Sequence, residues 1–380
     1  MIILLCSAAL AAPLSPEEAV SAALRADPAV IAADGAVGAA EGARADATFL
    51  RHNPTLGVSA STDGSLMEAS LEQPLSLTGE GLAEARSARA ALEAARAEAD
   101  RARLVAAAEA RLAWIRAAEA QARLGMAESG LRALARHREA VEARVAEGNS
   151  PGIDLRLARL DEAAAAGEVL AARRDARAAR AELAARTGIA GAEAEGDPLL
   201  AAPASWTAGD RADLVAAGSR IEAAEAALSA ERAATLPALG LGAFLERDDG
   251  ISRFGPALTV ELPLWAWNSG GRAEAQRDLS VARAESASLE ARIEAEQAAT
   301  GDEDLLAHLG ATPSEDAEAV LAAVDAAWQA GAIDAMEASL LRARALEAQR
   351  AWIAARAALA EARITAALAA GSPDLLPASP

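Results

Sequence analysis

Leu71-Glu72-Gln73-Pro74-Leu75 and Val260-Glu261-Leu262-Pro263-Leu264 each end a stretch built on one plan, and that plan decides the fold. The first stretch opens at Asn53-Pro54-Thr55-Leu56, the second at Leu236-Pro237-Ala238-Leu239. Pro237 follows Pro54 by 183 positions and Pro263 follows Pro74 by 189. Further along, Gly331 follows Gly148 by 183 and Asp334 follows Asp154 by 180. Landmarks in the same order at nearly one offset mark an internal repeat. The copies are predicted at 13–198 and 199–380.

Within each stretch the residues alternate as in a sheet with one apolar and one polar face. Leu56, Val58 and Ala60 oppose Thr55, Ser59 and Ser61, and Met67, Ala69 and Leu71 oppose Glu68, Ser70 and Glu72. In the second copy Leu239, Leu241, Ala243 and Leu245 oppose Gly240, Gly242 and Phe244, while Leu258, Val260 and Leu262 oppose Ala257, Thr259 and Glu261. Asp63-Gly64 and Asp249-Gly250 suit tight hairpin turns. Hairpins are therefore predicted over 53–75 and 236–264. Two hairpins give four strands per chain, whereas a membrane barrel needs about eight or more. A shared barrel demands several chains, and three would supply 12 strands.

Each hairpin precedes a long helical hairpin, expected over 79–187 and 271–370. From Gly79 to Glu147 there is no proline, a stretch that as one helix would reach roughly 100 Å. Heptad-like steps appear at Leu124, Leu131, Leu134, Val141 and Val145, and the chain turns at Gly148-Asn149-Ser150-Pro151-Gly152. The return puts Ile153, Leu157, Leu160 and Ala164 on one face and breaks at Thr187-Gly188. The second helical hairpin is interrupted around Thr300-Gly301 and Thr312-Pro313 and turns at Gly331.

Composition agrees with a mainly helical chain. Hydrophobic residues make up 53%, with much of that alanine, and aromatics only 2%, the signature of helices packed through small side chains. A net charge of −20 argues against nucleic acid as a partner. Cys6 is the only cysteine, so no disulfide framework or cysteine-based metal site is expected. His52, His137 and His308 lack ligand spacing and read as solvated residues, so no metal is expected. No nucleophile–base pair or phosphate loop stands out, so neither an enzyme nor a cofactor is expected. Met1–Ala12 reads as the apolar part of a secretory signal peptide, with Ala9-Leu10-Ala11 as cleavage site. No later apolar run approaches the ~20 residues of a spanning helix. A membrane crossing by the mature chain would thus be a β-barrel.

Three further motifs complete the pattern. Leu14-Ser15-Pro16-Glu17-Glu18-Ala19-Val20 precedes Ala26-Asp27-Pro28, Thr78-Gly79 follows the first hairpin, and Gly148…Ser150…Asp154-Leu155 is echoed by Gly331…Asp334. Over nearly the whole mature chain this order resembles the TolC-like outer-membrane efflux proteins, especially their heavy-metal exporter branch. The resemblance implies a homotrimer with a 12-stranded β-barrel in the outer membrane, continued by an α-helical coiled-coil tunnel in the periplasm. It implies helix tips at Gly148, Asn149, Ser150, Pro151 and Gly331 that meet a periplasmic adaptor (membrane fusion) protein fed by an inner-membrane pump. It places Glu68, Ser70, Glu72, Thr259 and Glu261 in the barrel lumen and outer-membrane lipid against the other face. Asp334 and Glu337 match the D-x-x-D tip pattern of drug-exporting relatives, with Glu as the second acid, and with Asp154 they are candidates for a gate. The chain lacks the family's Tyr–Arg tip latch, having no tyrosine. Trp265 and Trp267 are expected at the periplasmic interface of the membrane. The alternative is a periplasmic coiled-coil adaptor or scaffold of an export complex.

Overall fold

The structure, a computed structural model, describes residues 13–47, 53–61, 66–75, 79–203, 205, 210–236, 238–248, 251–261, 268–298 and 314–377. The expected leader Met1–Ala12, His52, His308, Trp265, Trp267, the expected hairpin tips Asp63-Gly64 and Asp249-Gly250, and the expected interruptions near Thr300 and Thr312 lie outside them. Helices dominate. They are α1 (Pro16–Ala26), α2 (Pro28–Asp46), α3 (Glu80–Ala146), α4 (Gly152–Thr187), α5 (Ala212–Ala233), α6 (Ser269–Ala298), α7 (Ser314–Gln329) and α8 (Ala335–Ala369). The strands are β1 (Pro13–Leu14), β2 (Thr55–Ala60), β3 (Leu66–Leu75), β4 (Glu193–Ala194), β5 (Ala238–Asp248) and β6 (Ile251–Glu261). Among the described residues no helix is long and apolar enough to cross a membrane, which says nothing of a β-barrel.

Two compact units form, and each draws on both halves of the sequence. One takes residues 1–30, 103–209 and 295–380; the other takes 31–102 and 210–294. In the first, the core gathers around Trp114 and Ile115 of α3, Leu183 of α4 and Ile364 of α8, with alanines such as Ala108, Ala113 and Ala360 filling the spaces between. Small side chains let these backbones approach closely, which is why so alanine-rich a chain still packs a core. Ser15 caps α1 through a capping box with Glu18. Just before it, β1 runs parallel to β4, pairing Pro13 with Glu193 and Leu14 with Ala194.

Two polar side chains tie this core to the chain's distant segments. The Trp114 indole N–H donates to the Leu14 carbonyl at 2.7 Å. The buried Arg111 guanidinium donates to the carbonyls of Ala201 (2.7 Å) and Leu375 (3.1 Å). Burial holds its pKa below the ordinary arginine value. Both groups satisfy main-chain carbonyls that would otherwise lose their water on folding.

The apolar residues that share one face of α4 point outward. Ile153, Leu157 and Leu160 are exposed, and the buried face is instead Ala158, Ala165, Val169, Ala176 and Leu183. Alanine wins the inner face because only small side chains fit between closely spaced helices.

Trp114→Ala is expected to cost about 3–5 kcal/mol through the cavity and the lost bond to Leu14. Trp114→Phe, which keeps most of the packing, is expected to cost clearly less. The denaturant midpoint of the helical circular-dichroism signal checks this ordering.

Candidate functional site: an open sheet and two helical tips

In the second unit the two hairpins merge into one antiparallel sheet of order β2-β3-β5-β6. The joint is β3 with β5, running from Leu66 opposite Asp248 to Leu75 opposite Leu239. On one side β2 pairs with β3, Thr55 opposite Glu72 through Ala60 opposite Met67. On the other β6 pairs with β5, Ala238 opposite Glu261 through Asp248 opposite Ile251. Both β2 and β6 are therefore edge strands, each with one row of main-chain donors and acceptors outside the ladder.

This register carries the alternation of each strand across the whole sheet. One face holds Leu56, Val58, Met67, Leu71, Leu241, Leu245, Phe254, Leu258 and Val260, all between 48% and 85% exposed. The other face holds Ser59, Glu68, Ser70, Glu72, Phe244, Glu246, Arg253 and Thr259. Glu261 ends β6 in register with Ala238.

The polar face is the more covered of the two. Glu72 lies across Gly240, where a Cβ would collide with its carboxylate, and Phe244 lies against Gly255. Glu246 faces Arg253 at 3.9 Å. A sheet built for water buries its aliphatic face and wets its polar one. Here the order is reversed, and the exposed apolar face runs across all four strands, broken only where Gln73 and Arg247 share it.

The first unit carries the helical tips. At the first, Gly148 takes φ 77° and the Asn149 N–H bonds back to the Arg144 carbonyl at 2.8 Å. At the second, Gly331 takes φ 72° and the Ala332 N–H bonds back to the Ala327 carbonyl at 2.9 Å. Both are the same helix-ending turn, and the positive φ is why glycine stands at each. In both, the next helix's N-cap lies three positions after the glycine, at Pro151 and at Asp334. The counterpart of Asp334 is thus Pro151, and Asp154 corresponds to Glu337, both at the third position of their helices. Matching Asp154 with Asp334 from sequence misjudged this, because two acids were paired by type and not by their place in the turn.

The candidate gate acids have defined local roles. Asp334 caps α8, its carboxylate accepting from the Glu337 N–H at 2.7 Å. Both Asp334 and Glu337 are exposed. Asp154 is half-buried and accepts from the Ser150 hydroxyl at 2.8 Å. Asn149 donates to Glu147 at 3.1 Å. Asp154 also borders a crevice of about 330 Å³ among α3, α4 and α8, shared with His137, Leu157, Met336 and Leu340.

Behind the tips lies a polar cluster that the sequence did not announce. His137, expected to be solvated, is only 5% exposed. Its ring meets Trp328 edge-on at 4.5 Å. Arg144 stacks over the same indole at 4.5 Å and Arg342 at 5.8 Å. Arg342, itself buried, grips Asp325 through Nε (2.8 Å) and Nη2 (2.6 Å). The Ser339 hydroxyl donates to Asp161 at 2.7 Å. Burial first, then Arg342, pushes the His137 imidazole down to about 4. Its position between Ala133-Leu134 and Val141, inside the heptad run, was the available signal for burial.

Among the described residues no group of three or more His, Cys, Asp or Glu side chains is arranged to hold a metal. No protein-family model matches the sequence. No curated protein matches it either. Solved structures do match its fold. CusC, described in terms of folding and transmembrane channel formation, superposes with a TM-score of 0.72 at 16% identity, covering 94% of this chain and 92% of its own. The outer membrane protein VceC from Vibrio cholerae gives 0.70 at 20% identity, with 94% and 96% covered. The open state of the MtrE outer membrane channel from Neisseria gonorrhoeae gives 0.73 at 19% identity, with 96% and 90% covered. Over 94–96% of its length the fold of this chain is that of these outer-membrane channels.

Proposed function

We propose that this chain is the outer-membrane channel subunit of a TolC-like tripartite efflux system, passing substrate from a periplasmic adaptor and inner-membrane pump to the outside. The observation that carries the reading is the four-stranded sheet with an exposed aliphatic face and two open edges. In an antiparallel sheet of four strands, β2 and β6 run in opposite directions, so β6 of one copy can pair antiparallel with β2 of the next. Three copies joined in this way form a closed barrel of 12 strands, within the range of known membrane barrels. The aliphatic faces then meet lipid, and Glu68, Ser70, Glu72 and Thr259 face the lumen. A periplasmic adaptor or scaffold protein would leave that aliphatic face without a role.

The matching fold of known outer-membrane channels supports this reading, as do the two equivalent tip turns. We read the latter as halves of one repeat, 13–198 and 199–380. The helical hairpins form the periplasmic duct, and their tips at Gly148–Pro151 and Gly331 meet the adaptor. There Asp334, Glu337 and Asp154 converge in the trimer as rings of carboxylates, which concentrate cations and repel anions.

Leu258→Arg and Thr259→Arg test the face assignment. Against lipid, the first charge costs about 2–4 kcal/mol near the bilayer midplane. The second should assemble and change conductance. Membrane-fraction yield and single-channel recording read the two outcomes, and equal loss of insertion in both contradicts the assigned faces.

The gate is tested by Asp334→Asn with Glu337→Gln. Asparagine still accepts the Glu337-position N–H as an N-cap, so the helix start is kept. Planar-bilayer recordings should show reduced cation preference and weaker block by multivalent cations. Wild-type selectivity should itself fade as salt screens the rings. A double variant with unchanged selectivity and block would place the constriction elsewhere.

A further inference from the structure

We propose that the contact between His137 and Trp328 is an acid-released latch joining the helix pair α3–α4 to the pair α7–α8 behind the tips. As regulation of the proposed duct, it rests on the reading above; as a property of the fold, it stands on the following geometry. His137 belongs to α3 and Trp328 to the last turn of α7, so their ring contact crosses the seam between the pairs. The ring is buried, and its Nδ1 is sealed from water without a hydrogen-bond partner. Val141, Ala158, Val324 and Ala338 pack around the indole, and the imidazole otherwise borders only the tip crevice that it shares with Asp154, Asp161 and Ser339. A neutral imidazole tolerates that place, whereas a charged one loses its hydration there.

The surrounding charges do not offer the proton a counter-ion that is free. From α3 itself, Arg144 lies over the indole. Arg138, the adjacent residue, is bound to Glu162 at 2.9 Å and Glu142 at 2.9 Å. From α4 come Asp161, which accepts from Ser339, and Asp154, which accepts from Ser150. From α7 comes Asp325, and from α8 Arg342, which holds it. Protonating His137 would set a third cation around Trp328 beside Arg144 and Arg342, opposed by carboxylates already engaged. Release relieves this, because the ring regains water once the pairs separate.

The sign follows from linkage. In the closed seam the imidazole is held down to about 4, below its ordinary value of about 6.5. The released state therefore binds a proton that the closed state refuses. Release gains up to about tenfold per pH unit as pH falls from about 6.5 to 4, then levels off. At neutral pH the latch is shut.

Hydrogen exchange on the full-length protein in detergent, corrected for intrinsic rates, tests this at the end of α7 and the start of α8. Protection there should fall on the order of 100-fold between pH 7 and pH 4 in the wild type. His137→Phe keeps an aromatic edge on Trp328 without a titrating group, and His137→Gln is polar but does not titrate. Both should lose the acid response, and the second keeps the test intact if the first fails to fold. Wild-type protection that is flat with pH overturns the latch, as does an unchanged acid response in both variants. The exchange readout does not require conduction. If the predicted acid response appears in a protein that conducts at neither pH, the latch stands and the channel reading fails.

Discussion

Two open strand edges and one wet aliphatic face are the constraint on which the rest of this molecule turns. Main-chain donors and acceptors along β2 and β6 cannot be left unpaired in a medium without water. Nor can an apolar face over four strands be left in water without inviting association. A single chain meets neither demand. Self-association that closes the sheet meets both at once, since the same joining that pairs the edges turns the aliphatic faces to one side. Glycines at 57, 240, 242 and 255 on the opposite face fit this arrangement. Those at 57, 240 and 255 leave room for Ser70, Glu72 and Phe244 to lie against the strands, and the one at 242 lets the main chain of Leu71 and Glu72 come close.

The helical part solves a different problem with a different vocabulary. Alanine at the inner positions of α3, α4 and α8 allows close helix packing with little side-chain entropy lost. Arginine–carboxylate pairs such as Arg173–Glu128 (2.7 Å) and Arg116–Glu182 (3.0 Å) cover the outside. Each such exposed pair is worth little by itself. Among the described residues the buried side chains are mostly alanine and aliphatic, and the few aromatic or charged ones act at specific places. Trp114 and Arg111 fasten the chain's first and last described segments to α3. Behind the tips, Trp328 gathers His137, Arg144 and Arg342 at the seam between two helix pairs.

Much of this was legible in the residues before any coordinates. Alternation in Leu56–Ala60 and Met67–Leu71 gave the strands and their faces, and the absence of proline between Gly79 and Glu147 gave the longest helix. Gly148 and Gly331 marked turns because only glycine takes their positive φ without strain. What could not be read was long-range. The pairing of β3 with β5 joins segments about 170 positions apart, and no local pattern specifies such a partner. The buried His137 was misjudged because hydropathy reports how apolar a residue is, not which neighbour is close enough to cover it. The tip acids were aligned by type, and only the turn geometry showed that Asp154 stands where Glu337 does.

The central claim is that one chain's sheet is completed by copies of itself. The mass of the detergent-extracted protein, measured by light scattering with the detergent contribution subtracted or by native mass spectrometry, tests it most directly. The account predicts a particle of three chains that persists on dilution. A monodisperse single chain that still inserts into bilayers and conducts ions would contradict it.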